Sequence, residues 1–279
     1  MINIQDLNFS YSKRTELITN LSLQLEAGRI HGLLGKNGEG KSTLLKLMSG
    51  LVFPQQGTIN VMDFDPQKRK PEMLQEIFFL AEELPQLNMS IESYEKVYAP
   101  FYPHFNAEQF NGFLKEFDVQ NKKAMLNKLS HGQKKKVMIA FGLASNTKLL
   151  LMDEPTNGLD IPSKGQFRRM VASCLEANRC LVISTHQVHD LESLIDNIII
   201  MENHEIVFNQ TIEAISKKLL FKHADRNEKS QDLIYEMETL RGAYQLCKNP
   251  NNEDSNLDIE LLFNAVLINN KMISTLFNK

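Results

Sequence analysis

Residues 35–42 read Gly35-Lys36-Asn37-Gly38-Glu39-Gly40-Lys41-Ser42 and are followed by Thr43. This spacing matches G-x-x-x-x-G-K-[ST], a loop whose backbone N–H groups fold around a chain of phosphates. Gly35, Gly38 and Gly40 open backbone torsions that are closed to other residues, so successive amides can turn inward on an anion. Lys41 adds a full positive charge at the β and γ phosphates, and Ser42 offers an oxygen to Mg²⁺. A helix expected over residues 41–49 points the positive end of its dipole at the same place. The apolar run at 30–34 supplies the strand that must precede such a loop.

A second constellation lies downstream. Residues 149–152 are an unbroken apolar run that ends in Asp153-Glu154-Pro155. A buried strand ending in a carboxylate puts Asp153 beside the phosphates, where it can hold the hydration shell of Mg²⁺ opposite Ser42. Glu154, one residue on, can polarise a water for in-line attack on a γ phosphate. Alone, Asp-Glu-Pro is most often a solvated turn, because these residue types favour turns. Paired with a phosphate loop it reads as the hydrolytic half of an ATPase.

Leu129-Ser130-His131-Gly132-Gln133, followed by three lysines and Val137, lies about twenty residues before Asp153. It resembles the signature motif of the ATPases of ABC (ATP-binding cassette) transporters. Ser130 can cap a helix running through Ala144, which makes that helix start, with the Gly132 N–H and Ser130 hydroxyl, a second anion site. In the family this segment, Gln133 included, meets the γ phosphate held by another protomer, so the resemblance implies a homodimer or heterodimer closed around ATP. It also implies roles for other residues. Tyr11 matches the aromatic that stacks on adenine, Asp160 in Asn157-Gly158-Leu159-Asp160 matches the loop that contacts the partner's site, and His186 in Ser184-Thr185-His186 matches the switch histidine at the γ phosphate. Two positions depart from the commonest family pattern. Glu82 stands where a Gln usually bridges Mg²⁺ and the membrane-facing surface, and a carboxylate can still bind that hard cation. His131 stands where the family has glycine, a place that would be strained for a side chain if φ were positive.

The elements needed to position these groups are present. Strands are expected at 2–9, 21–25, 30–34, 58–62, 77–80, 149–152, 181–184, 198–201 and 205–208, and helices at 163–177 and 187–194. The early strands read as hairpins and the later ones as parallel crossovers. Between 83 and 128 the pattern turns helical and aromatic, with Tyr94, Tyr98, Phe105, Phe110, Phe113 and Phe117 at spacing that reads as packed core. The fold class is therefore α/β: a P-loop NTPase core sheet with an antiparallel β subdomain and an inserted helical subdomain at 82–145. Residues 1–210 form the ATPase domain. Residues 211–279 read as a mainly helical appendage: a charged helix at 212–222, a polar stretch at 226–232, and two helix-like segments split by the Asn/Asp-rich loop 249–256. It reads equally well as a dimerisation or regulatory piece and as a solvated tail.

Composition narrows the function further. A net charge of -3 over 279 residues gives no electrostatic footprint for nucleic acid. One cassette without a coiled-coil insertion also speaks against the ABC ATPases that act on ribosomes or DNA. The three cysteines have no pairable or metal-ligand spacing, which fits a reducing compartment. Residues 1–9 alternate as a strand does, unlike a signal peptide, and no apolar run reaches the 18 or so residues of a membrane span. The expectation is a cytoplasmic ATPase, peripheral on the inner face of the membrane, using ATP and Mg²⁺ and driving a separate permease chain. Its compact helical subdomain and lone cassette resemble export-type subunits.

Overall fold

The computed structural model describes residues 1–12, 16–225, 230, 232–240 and 242–277. The chain begins β1 (Ile2–Phe9), β2 (Ile18–Leu25), β3 (Arg29–Leu34), α1 (Lys41–Met48), β4 (Gln56–Val61), α2 (Pro71–Leu74) and β5 (Ile77–Leu80). An insertion then carries α3 (Ile91–Tyr98), α4 (Ala107–Glu116) and α5 (His131–Ala144). The core resumes with β6 (Leu149–Asp153), α6 (Ile161–Ser173), β7 (Cys180–Thr185), β8 (Asn197–Glu202) and β9 (Glu205–Thr211). The last part is α7 (Ile212–Lys218), β10 (Leu219–Ala224), β11 (Leu233–Thr239), β12 (Gly242–Lys248) and α8 (Ile259–Phe277).

The central sheet has the order β5-β6-β7-β3-β8-β9, parallel except for β9, which runs antiparallel to β8. Successive residues of a strand point to opposite faces, and here both faces are covered, which is why these strands are continuous apolar runs. Leu150, Met152, Leu181, Ile183, Ile198 and Ile200 face one core cluster, which includes the helical insertion. Leu149, Leu151, Val182, Ile199 and Met201 face the other, together with α1 and the antiparallel sheet β2-β1-β4. Every strand expected from sequence forms, with ends shifted by no more than three residues.

The aromatic residues of the insertion are core, as expected. Phe141 on α5 sits within 4.9–5.9 Å of the rings of Phe78, Tyr94, Tyr102, Phe105 and Phe110. This cluster fixes α5 against β5 and so fixes where α5 begins.

Two expectations require correction. Residues 187–194 do not form an α-helix; only Val188–Asp190 makes a single 3₁₀ turn. Side chains claim that backbone: the Thr185 hydroxyl accepts from the Gln187 N–H at 2.9 Å, and Arg168 donates to the Asp190 carbonyl at 3.4 Å. The appendage is not mainly helical either. Residues 219–224, 233–239 and 242–248 make an antiparallel sheet ordered β10-β12-β11, beside α7 and α8. Leu219, Phe221, Ile234, Leu246, Leu262 and Val266 join the same core cluster as Ile198 and Ile200, so this segment is packed and not a solvated tail. Of the polar stretch at 226–232, residues 226–229 and 231 lie outside the described residues. No described helix is long and apolar enough to cross a membrane.

Candidate functional site

The phosphate loop joins β3 to α1. Gly40 is the N-cap of α1 at φ 106, and no side chain caps that helix, so its first amides stay open to an anion. The glycines are needed for contact as well as for torsion. A Cβ on Gly35 would lie 2.7 Å from the Met201 carbonyl oxygen, and one on Gly40 would lie 2.9 Å from that of Leu17. Lys41 is buried, and its Nζ donates to the carbonyls of Gly35 at 2.7 Å and Lys36 at 3.0 Å. Burial lowers its pKa, and the carboxylates of Glu154, Asp153, Glu82 and Glu39 oppose that shift.

β6 delivers the carboxylates. Asp153 ends the strand, and Glu154 follows with φ 46, in the left-handed region. Pro155 comes next and disfavours the right-handed helical region for the residue before it. The tip of β7 braces both side chains. The Ser184 hydroxyl donates to Asp153 Oδ1 at 2.5 Å, the Thr185 hydroxyl donates to Glu154 Oε2 at 3.2 Å, and His186 Nδ1 lies 2.8 Å from Glu154 Oε1. Glu154 Oε1 is also 4.0 Å from Lys41 Nζ. Thus the two motifs, more than one hundred residues apart in sequence, share one site.

Asn37, Gly38, Gly40, Lys41, Ser42, Thr43, Glu82 and Glu154 line, with Leu17, one cleft of about 250 Å³. Glu82 reaches it from the end of β5 and accepts from the Asn157 amide at 3.1 Å. Ser42 and Glu82 on the cleft wall, and Asp153 at the end of β6, carry hard oxygens of the kind that Mg²⁺ takes alongside phosphate. Lys36 and Glu39 turn toward the β8–β9 hairpin: Lys36 Nζ is 3.9 Å from Glu202, and Glu39 Oε2 accepts from the His204 N–H at 3.3 Å. Tyr11 stands edge-on to Phe9 at 4.8 Å, 60% exposed, with its hydroxyl accepting from Thr43 at 3.4 Å. An exposed ring tethered to the phosphate loop can take a planar base on its face.

The signature residues are held together, but not in that cleft. Ser130 is the N-cap of α5, and with Gln133 it forms a reciprocal capping box, both bonds at 3.2 Å. His131 is the first helical residue and has negative φ, so the strain raised by its replacing glycine does not arise. Gly132 is the position that cannot carry a side chain: its Cβ would lie 2.8 Å from the Gly158 carbonyl oxygen. Asp160 caps α6 by accepting from the Ser163 N–H at 2.8 Å, and Ser163, through its side chain first and its backbone second, lowers the Asp160 pKa. Ser130, Gly132, Gln133 and Asp160 therefore border one surface, and none of them lines the cleft.

Three residues of the cluster escape sequence reasoning. Ser184 and Thr185 look like ordinary strand residues until β7 is placed beside β6. Lys135 is in sequence only one of three successive lysines, yet it is completely buried and its Nζ donates to the Glu154 carbonyl at 2.8 Å. The available signal was its place on the apolar face of α5, four residues before Ile139.

Known proteins are similar to this chain in sequence and fold. The family model described as ABC transporter matches residues 18–157. The ABC transporter ATP-binding protein NatA of Bacillus subtilis (strain 168) is 28% identical over 84% of this chain and 96% of its own length. The high-affinity zinc uptake system ATP-binding protein ZnuC of the same organism is 31% identical over 74% of this chain and 92% of its own. Among solved structures, a dimeric ATP-binding cassette in a post-hydrolysis state, bound to ADP and Pi, superposes with a TM-score of 0.66. That likeness, at 21% identity over 76% of this chain and 99% of the other, is one of fold. The phosphate loop and the Glu154 carboxylate share one cleft on that fold, and the chain belongs to the ABC transporter family as an ATP-binding, ATP-hydrolysing subunit.

Proposed function

We propose that two such cassettes close around ATP and drive a separate membrane permease, and that the transport is export. The observation that carries the hydrolytic assignment is the convergence of Lys41 and His186 on one carboxylate oxygen of Glu154, at 4.0 and 2.8 Å. Lys41, with the amides of residues 35–43, grips the β and γ phosphates. Glu154 accepts the proton of the attacking water, and His186 orients that water and the carboxylate together. Ser42, Asp153 and Glu82 would hold Mg²⁺, which would supply charge neutralisation for the transferred phosphoryl group. Tyr11 stacks on the base.

Ser130, Gly132 and Gln133 serve the site of the facing cassette, whose γ phosphate they contact, while Asp160 belongs to the loop that meets that partner. The γ phosphate is the switch, because only ATP bridges both halves and ligands move an equilibrium by differential affinity alone. The permease reading draws on the relatives, which include an uptake system, and on Phe101 and Val97, apolar residues 65% and 51% exposed on the helical insertion. Location at the membrane follows from that docking. The export direction rests on the compact insertion; a permease of an uptake type copurifying with the chain from membranes would reverse it.

The test of the hydrolytic core is Glu154→Gln. This variant is expected to bind ATP normally and to release phosphate on the order of 10²-fold more slowly. Near-normal turnover would remove Glu154 from the role of base.

A further inference from the structure

Lys135 has no part in the reaction as just described, yet its placement is costly. It is 0% exposed, and burial lowers its pKa against the opposing pull of the Glu82, Asp153 and Glu154 carboxylates. An apolar side chain of similar volume would avoid desolvating an ammonium group, and such replacements are often neutral or stabilising. A lysine kept there is better explained by what it touches.

It touches the backbone of Glu154. That residue holds φ 46, a conformation disfavoured for any residue with a Cβ and maintained only where neighbours over-determine it. Its N–H donates to the Ser184 carbonyl at 3.1 Å. Its C=O accepts from the Asn157 N–H at 3.2 Å and from Lys135 Nζ at 2.8 Å. Among these partners only Lys135 comes from α5, five residues past the Ser130 cap. The helix that begins at the signature thus reaches directly into the peptide that aims the carboxylate.

We propose that Lys135 is a positioning residue for ATP hydrolysis: its ammonium, bonded to the Glu154 carbonyl, holds the Glu154 carboxylate in line and ties that alignment to the signature helix. The proposal rests on Glu154 being the base. The experiment compares Lys135→Met, made in the wild-type and in the Glu154→Gln background, by steady-state phosphate release and thermal melting. Turnover of Lys135→Met is expected to fall ten- to a hundredfold, the scale of losing a charge-assisted hydrogen bond. The KM for ATP should stay within about threefold, because a group acting only through the base leaves ground-state binding alone. The melting temperature should not fall, and in the Glu154→Gln background the substitution should cost nothing more, since the two act as a unit. Unchanged turnover, a loss that multiplies with that of Glu154→Gln, or a loss that only tracks a lower melting temperature would each overturn the proposal. If Lys135→Met does not fold, Lys135→Gln, which keeps a donor without the charge, is read by the same criteria. Near-normal hydrolysis by Glu154→Gln itself would instead fault the assignment of the base, and so separates the two failures.

Discussion

The starts of α1 and α5 are built in opposite ways. α1 starts from Gly40 with no side-chain cap, so its first amides stay open to an anion, and the Lys41 ammonium is held beside them by the Gly35 and Lys36 carbonyls. α5 starts from Ser130 with its cap closed on itself, Ser130 accepting from the Gln133 N–H and Gln133 accepting from the Ser130 N–H. A glycine-capped start, with no side chain closing on its amides, leaves them free for an anion. A closed start keeps its geometry without a ligand, retaining only the Ser130 hydroxyl proton and the amides of His131 and Gly132 to give away. The first suits gripping a nucleotide in one chain, and the second suits recognising one already gripped by a partner.

Substitutions can separate these roles. Lys41→Ala should cost the most, on the order of 10³-fold in kcat/KM, since it removes the charge fixed on the transferred phosphoryl group; isothermal titration should find the ATP affinity of the isolated chain reduced as well. Gly132→Val should leave ATP binding by the isolated chain intact and lower turnover by about 10²-fold, the usual result of a displacement near 1 Å. The displacement arises because a Cβ there lies 2.8 Å from the Gly158 carbonyl oxygen. Loss of nucleotide binding in Gly132→Val would erase the contrast between the two starts. Ser130→Ala should be milder, about tenfold in turnover for one hydrogen bond to a charged group, with about 1 kcal/mol of stability lost with the cap. Leu262→Ala, in the core shared with α8, should lower stability by about 2–5 kcal/mol in chemical denaturation, with turnover per folded molecule unchanged. A parallel loss of turnover there would make the C-terminal segment part of the engine.

These differences track what the sequence made legible. The phosphate loop, Asp153-Glu154 and the Ser130 cap are local patterns in which residue type and spacing dictate the geometry. Most strands of the central sheet were nearly as plain, because their middles are buried on both faces and are apolar runs, as at 149–152 and 198–201. The pairing of Ser184 with Asp153 and of Thr185 with Glu154 depends on β6 lying beside β7, a contact between residues about thirty apart that no local pattern encodes. Lys135 was hidden by its own type, since lysine is seldom fully buried and nothing in the sequence separates it from Lys134 and Lys136. The strands at 219–248 were missed because their burial does not alternate: β12 buries Gly242, Ala243, Gln245, Leu246 and Cys247, leaving Tyr244 and Lys248 out. Packed on α8 as well as on its neighbours, that strand follows neither the helical period nor the simple period of two.

The sharpest test of the composite site is the association state of Glu154→Gln with saturating ATP and Mg²⁺, read by analytical ultracentrifugation beside the same sample with ADP. A site completed by a second copy predicts a dimer with ATP and a monomer with ADP, the dimer being lost in Gly132→Val. A chain saturated with ATP that sediments as a monomer would contradict closure of two copies of this chain around the nucleotide.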